Sequence, residues 1–216
     1  MLKLVNSLRS EHFNGADLYA PATDTISFRQ RFSTTWHIDA CLKWTKGQDA
    51  VVQAGGNLGQ WPIYLATRFK SVWTFEPSPI NFQCLCLNTR GFDNIIRVPF
   101  GLGRTTRSVQ LQEDAANCEG TYLTLDSGSI PVVSLDNVYP DNQPLDLLLL
   151  DLEGMEFDAI MGAIKTIERT RPVILIEYRQ FERGTFNLAH LENYLNNLGY
   201  SPVAQASKDL IYVHRS

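Results

Sequence analysis

The chain has 216 residues, enough to bury a sizeable core and most simply one domain. Its 19 basic and 23 acidic residues leave a formal charge of −4, which disfavours a nucleic-acid partner; Arg29, Arg31, Arg104 and Arg107 come nearest to a local basic stripe. The longest apolar run, LDLLLLDL, is of strand length and short of the roughly 18 residues of a membrane helix, and MLKLVNSLRS lacks the pattern of a signal peptide, so a cytoplasmic location is expected.

Residues 1–34 are polar and turn-rich, with Asn14-Gly15 and Pro21, and read as an irregular arm with at most one short helix. A helix then starts at Thr35, offers Trp36, Ala40, Leu42 and Trp44 as apolar surface, and stops near Lys46-Gly47. Residues 1–47 are thus expected to be an arm and helix that cover a site in the domain formed by residues 48–216. From Asp49 strands and helices alternate. Asp49 to Ala54, Ser71 to Phe75 and Ile95 to Val98 read as strands, with helices at Gln60 to Phe69 and Pro79 to Arg90. Between 104 and 135 the pattern breaks into short pieces, Val109 to Leu111, Tyr122 to Leu125 and Val132-Val133, which predict a small β insertion. The alternation resumes with a strand at Leu145 to Leu150, a helix at Glu156 to Thr166, a strand at Val173 to Glu177 and a helix at Leu188 to Leu198. Val203 to Ala206 and Ile211 to Val213 finish as a hairpin-like pair, antiparallel to the rest. This rhythm specifies an α/β fold, a largely parallel sheet flanked by helices.

The four cysteines, Cys41, Cys84, Cys86 and Cys118, lack zinc-site spacing and read as reduced buried thiols; the four histidines are scattered. His190 reads as a surface or core residue. His37 and Asp39 reach a cleft only if the helix carrying them folds over it. Trp36, Trp44 and Trp61 read as packing residues.

VVQAGGNLGQWPIYL is an apolar strand, a glycine-rich turn and a helix start. No lysine follows Gly59, so it is not a P-loop. A dinucleotide fingerprint needs glycine where Asn57 stands, and the Asn57 side chain would crowd a pyrophosphate. S-adenosylmethionine (SAM) has no phosphates. Gly55, Gly56, Asn57 and Gly59 let backbone approach such a ligand, and the following helix offers N–H groups to a carboxylate. Glu76 ends the next strand, 21 residues after Gly55, where an acid accepts hydrogen bonds from both ribose hydroxyls of a nucleoside.

LDLLLLDLEGMEF buries a strand on both faces and releases Asp151 and Glu153 at its carboxyl end, with Glu177 closing the neighbouring strand VILIE. Three roles are open to these acids. One of them takes a proton as general base; two or three hold a divalent cation; or Asp151 alone touches ligand while Glu153 lies in an exposed turn and Glu156 supports a helix start. No His or Asn completes a metal site, so no metal ligand is expected and a divalent cation is the lesser alternative.

In order along the chain, VVQAGGNLGQWPIYLA, VWTFEPSP, VVSLDNVYP, LDLLLLDLEGMEFDAIMGA and PVILIEY resemble the motifs of FkbM-type SAM-dependent methyltransferases across residues 48–200. The block around Asp151 is the most specific of them. The resemblance implies a Rossmann-like class I methyltransferase fold, with a seven-stranded, mostly parallel sheet whose last strand is antiparallel. It implies SAM as donor and, commonly, a hydroxyl of a sugar or natural product as acceptor. Carried over, Gly55, Gly56, Asn57 and Gly59 meet the methionine end, Glu76 the ribose, Phe100-Gly101 the adenine, and Asp151 the methyl group. The family usually has an acid where this chain has Gln53, whose amide oxygen can still accept a hydrogen bond but carries no charge. The expected function is a SAM-dependent methyltransferase acting on oxygen in a small-molecule or glycan acceptor, with Asp151, Glu153 and Glu177 as the catalytic candidates. The alternatives are transfer to nitrogen or carbon, and a SAM- or nucleoside-binding module without turnover.

Overall fold

The computed structural model describes residues 8–32, 35–112, 117–124, 127–177, 188–206 and 208–216. The expected strand at Leu125, the side chain of Arg31 and the tyrosine of PVILIEY lie outside the described residues.

The N-terminal segment is not irregular. Leu8–Phe13 (β1) and Ala16–Pro21 (β2) form an antiparallel hairpin in which Phe13 faces Ala16. Asn14 and Gly15, at φ 51° and 81°, are the two-residue turn, whose left-handed backbone follows the twist of the strands. Most of β1 faces solvent, so it carries little of the apolar alternation that marks a strand in sequence. The hairpin is tied down by Asn88, which accepts from the Tyr19 N–H (2.7 Å) and donates to the Tyr19 carbonyl (2.9 Å). Two short helices follow, Phe28–Phe32 (α1) and Trp36–Leu42 (α2), the second ending earlier than Lys46.

The domain's sheet contains Ala50–Ala54 (β3), Ser71–Phe75 (β4), Ile95–Val98 (β5), Leu147–Leu150 (β10), Val173–Glu177 (β11), Tyr200–Ala206 (β12) and Asp209–His214 (β13). Its seven strands run in the order β12-β13-β11-β10-β3-β4-β5. The pairs from β5 through β11 are parallel, and β13 is antiparallel to both of its neighbours. β12 therefore runs with the parallel set, so only β13 opposes it. In β10 the leucines alternate: Leu147 and Leu149 enter the core shared with Ile38 of α2 and Leu65 of Gln60–Ala66 (α3). Leu148 and Leu150 face Ile160 of Glu156–Met161 (α6), Ile167 of Ile164–Thr170 (α7) and Leu191 of Leu188–Asn197 (α8). All four are fully buried, which explains an uninterrupted apolar run.

Two further elements differ from expectation. The helix predicted from Glu156 to Thr166 breaks after Met161, where a Cβ on Gly162 would sit 2.0 Å from the Gly103 carbonyl oxygen. The new helix, α7, is started by Asp136 of the short helix Leu135–Val138 (α5), whose carboxylate accepts the N–H groups of Lys165 (3.0 Å) and Thr166 (2.9 Å); this accounts for the acid of the SLD segment. The insertion forms its own four-stranded sheet from Gly101–Leu102 (β6), Arg107–Gln112 (β7), Tyr122–Thr124 (β8) and Ile130–Val133 (β9), in the order β6-β9-β7-β8. Arg104 and Arg107 both pair with Asp158, at 3.1 and 3.4 Å, rather than forming a free basic stripe. Among the described residues no helix is long and apolar enough to cross a membrane.

Candidate functional site

A cavity of about 320 Å³ opens over the carboxyl ends of β4, β3, β10 and β11. Parallel packing brings these strand ends side by side, and the chain leaves each by a turn whose side chains face the opening.

The first turn is shaped by Gly55 (φ 89°), where an added Cβ would meet the Asp151 carbonyl oxygen at 2.0 Å, so β3 and β10 touch backbone to backbone there. The Gly55 and Gly56 N–H groups both donate to the Phe75 carbonyl, at 3.0 and 2.8 Å, which pins the turn to β4. Gly55 and Asn57 line the cavity; Gly56 instead faces Thr74, and Gly59 packs against Thr89 as the cap of α3.

Glu76 lies immediately beyond β4 and lines the cavity while being only 5% exposed. One carboxylate oxygen accepts the Asn57 N–H (2.7 Å) and the other the Ser78 N–H (2.9 Å). Burial pushes its carboxyl up to about 7; the donors from Ser78, Asn57 and the Asn81 side chain hold it lower than burial alone would.

Gln53 departs from the expected cofactor contact. It is fully buried and does not line the cavity. Its amide oxygen accepts the Thr74 hydroxyl (2.6 Å) and its amide nitrogen donates to the Gly55 carbonyl (2.7 Å). An amide supplies both a donor and an acceptor, whereas a carboxylate would face the Gly55 oxygen with no proton to give. Phe100 and Gly101 are also displaced from their expected place. Phe100 packs against the core, Gly101 is covered by Leu123 and Val132, and neither lines the cavity.

The carboxylates of Asp151, Glu153 and Glu177 do converge, with one oxygen of each within 4.8 Å of the others. Asp151 follows β10, Glu177 ends β11, and Glu153 sits in the turn between β10 and α6 at φ 54°, a backbone conformation rare for a non-glycine residue. Burial raises the Asp151 carboxyl well above the usual carboxylate range; the charge of Glu177 and a hydrogen bond shared with it push the same way, followed by Glu153 and Glu156. Glu156 is turned inward and braces this turn, accepting the N–H of Leu152 (2.9 Å) and of Gly154 (3.1 and 3.2 Å). Burial raises its carboxyl to about 7.

Several cavity residues carry no local sequence signal. Asp209, at the start of the antiparallel strand β13, stands opposite Glu177. Asn81 of Pro79–Asn88 (α4) and Cys118 of the insertion close the side near Glu76: Asn57 and Asn81 donate to the Cys118 carbonyl at 3.4 and 3.3 Å. Trp36, His37 and Trp61, of which the tryptophans were expected to be packing only, form a wall of the cavity. Asp39 instead accepts a hydrogen bond from the Tyr64 hydroxyl and stays outside it.

A seven-stranded sheet in this order, with a glycine turn and a buried acid meeting at the carboxyl ends of its central strands, defines the methyltransferase class of α/β proteins. Residues 53–202 match the family described as Methyltransferase FkbM domain, and the chain belongs to that family. No curated protein matches the sequence. Methyltransferase FkbM from Methylobacillus flagellatus KT is similar in structure, with a TM-score of 0.55 and 20% identity over 77% of this chain and 44% of that one. This chain thus spans less than half the length of that protein. The ribosomal protein L11 methylase from Lactobacillus delbrueckii subsp. bulgaricus has a TM-score of 0.51 and 13% identity over 91% of this chain and 84% of that one. At such identities the shared property is the fold.

Proposed function

We propose that the protein is a SAM-dependent methyltransferase that methylates a hydroxyl of a sugar or small natural-product-like acceptor. The observation that carries this reading is Glu76. It is a buried acid with each oxygen already held by one backbone N–H, facing the cavity beside the glycine turn, where it can take both ribose hydroxyls of SAM. Gly55 and Asn57 then lie along the methionine side, and Asp151, on the strand end two positions from β4, lies beside the methyl group.

The acceptor oxygen attacks the methyl carbon in line with the departing sulfur. The O–C bond forms as the C–S bond breaks, the C–S electron pair stays on sulfur, and the acceptor's proton passes to a carboxylate of the Asp151, Glu153 and Glu177 group. The sulfonium is already activated, so positioning supplies most of the rate. Asp151 and Glu177 share a hydrogen bond, so a proton between them relieves their mutual repulsion. In this reading no divalent cation is needed, and turnover survives chelation. Ile26, Gln30, Trp36 and His37 from the first 47 residues line the cavity and cover the acceptor side. The described cysteines are free thiols, which suits a cytoplasmic protein.

Calorimetric titration with SAM and with S-adenosylhomocysteine tests the cofactor, and methyl transfer across hydroxyl, amine and carbon acceptors tests the reaction. Failure to bind either compound sinks the reading; binding without transfer reduces it to a SAM-binding module.

A further inference from the structure

A nucleoside held at Glu76 would fill only part of the cavity. Glu76 lies just beyond β4 and Asp209 opens β13, four strand positions apart in the sheet, or roughly 19 Å at ordinary strand spacing. Asp151 lies between them, at the end of β10. A nucleoside held at β4 with its methyl group at β10 leaves the β11 and β13 end for the group that receives the methyl.

That end is walled by rings. The Trp36 ring lies 5.3 Å from the His37 ring in an edge contact, and the His37 ring lies 4.6 Å from that of Trp61. Trp36 remains 52% exposed at the cavity, an unusual place for an indole whose only task is packing. His37 is 5% exposed, and among the described residues its Nε2 meets no hydrogen-bond partner. Its Nδ1 is 3.9 Å from the Asp209 carboxylate. Burial lowers the His37 pKa, against the charges of Glu177 and Asp39, so the neutral ring keeps one nitrogen able to accept a proton-bearing group. The floor below is set by Glu177 and Asp209, which oppose a phosphate or carboxylate on the ligand.

We propose that this end of the cavity is the acceptor subsite and that it takes an uncharged, hydroxylated aromatic ring. The ring lies against Trp36 and Trp61, and one of its hydroxyls donates to His37. This rests on the methyltransferase reading and narrows its acceptor. Flat aromatic faces favour a flat partner over a puckered one. A phenol, with a pKa near 10, also yields its proton to a carboxylate far more readily than an aliphatic alcohol does.

The test is ligand-observed NMR on the full chain, with and without S-adenosylhomocysteine. The probes are catechol, its saturated counterpart cyclohexane-1,2-diol, the charged 3,4-dihydroxybenzoate, and methyl glucoside. Catechol is expected to bind roughly tenfold more tightly than each of the other three. Trp36→Ala, at an exposed position that tolerates truncation, is expected to lose about that factor for catechol with the homocysteine nucleoside unaffected. His37→Ala should lose a similar factor, and His37→Gln, which keeps an acceptor, should recover part of it. Equal affinity for catechol and the diol, preference for the glucoside, absence of catechol binding, or an unchanged Trp36→Ala affinity overturns the proposal. If catechol selectivity persists while S-adenosylhomocysteine fails to bind, the subsite stands and the cofactor reading falls; normal nucleoside binding without catechol selectivity is the reverse.

Discussion

Glu76→Gln is the most informative single substitution. In the wild type, burial lifts this carboxyl from 4.5 to about 7, a change equivalent to about 3 kcal/mol against the ionised form once the pH is above that value. The raised folded-state pKa makes this contribution to stability complete below the unfolded value of 4.5 and lost as the pH climbs through 7. A bound ribose reverses the balance, because its hydroxyls donate to the carboxylate and favour ionisation. Binding of S-adenosylhomocysteine should therefore release a proton at a pH somewhat below 7, and affinity should rise with pH and level off near 7. Glutamine keeps one acceptor oxygen but no charge, so it forfeits roughly 1.5–3 kcal/mol of charge-assisted hydrogen bonding, or about 10- to 150-fold in affinity at pH near 8. At a pH near 5.5, where the wild-type side chain is itself neutral, the gap should shrink below about 1 kcal/mol. Calorimetry at several pH values, in two buffers of different ionisation enthalpy, reads both the affinity and the released proton. A wild-type affinity independent of pH with no proton release, or a variant that binds as well as wild type at pH near 8, refutes the placement of the ribose on Glu76.

Gln53→Glu, which restores the acid usual in the family, should destabilise the fold by about 3 kcal/mol in urea unfolding, because it sets a buried carboxylate against the Gly55 carbonyl. It should give no gain in S-adenosylhomocysteine affinity, and tighter binding would count against the internal role of this amide. Asp151→Asn should lower kcat by about 10²–10⁴, because it removes a carboxylate from the group that takes the acceptor's proton; burial and the charge of Glu177 hold the Asp151 carboxyl well above the usual carboxylate range, so the substitution also relieves a buried like-charge contact. The wild type loses stability as pH rises through the raised Asp151 value and the asparagine variant lacks that component; an undiminished kcat removes Asp151 from the reaction. Glu156→Gln keeps one acceptor for the Leu152 and Gly154 N–H groups and should cost about 1–3 kcal/mol, read as a lowered Tm. Because burial raises Glu156 from 4.5 to about 7, its contribution to stability fades as the pH rises through that window, and the variant should lack this slope.

Most of the sheet was legible because its strands advertise themselves locally. β4, β5 and β11 have the bounds expected from their β-branched and aromatic runs, and β10 shows the continuous leucines of a strand covered on both faces. The N-terminal hairpin was missed because β1 is largely solvated and offers little alternation, although Asn14-Gly15 is a strong turn signal. The split between α6 and α7 was missed because a single glycine inside a helical pattern is tolerated, at about 1 kcal/mol, and does not by itself mark a boundary. What requires glycine there is the Gly103 backbone 59 residues earlier in the chain, which leaves no room for a Cβ, and what starts α7 afresh is the Asp136 carboxylate.

The same division runs through the site. Sequence alone determined the residues whose chemistry is set by their own strand: the glycine turn after β3, Glu76 after β4, and the acids after β10 and at the end of β11. A parallel strand must expose the same end as its neighbours, so acids at those ends meet once the strands pair. Only the tertiary structure decided where the remaining side chains go. Gln53 turns inward because Thr74 lies beside it in the register of β3 and β4. Asp209 reaches Glu177 because β13 runs antiparallel, which brings its first residue to the edge where the others end. Trp36 and His37 join the wall because α2 packs over β11, and Cys118 does so because the insertion folds back onto Asn57, 61 residues away. Strand order and register are properties of the whole chain's packing, and no window of neighbouring residues encodes them.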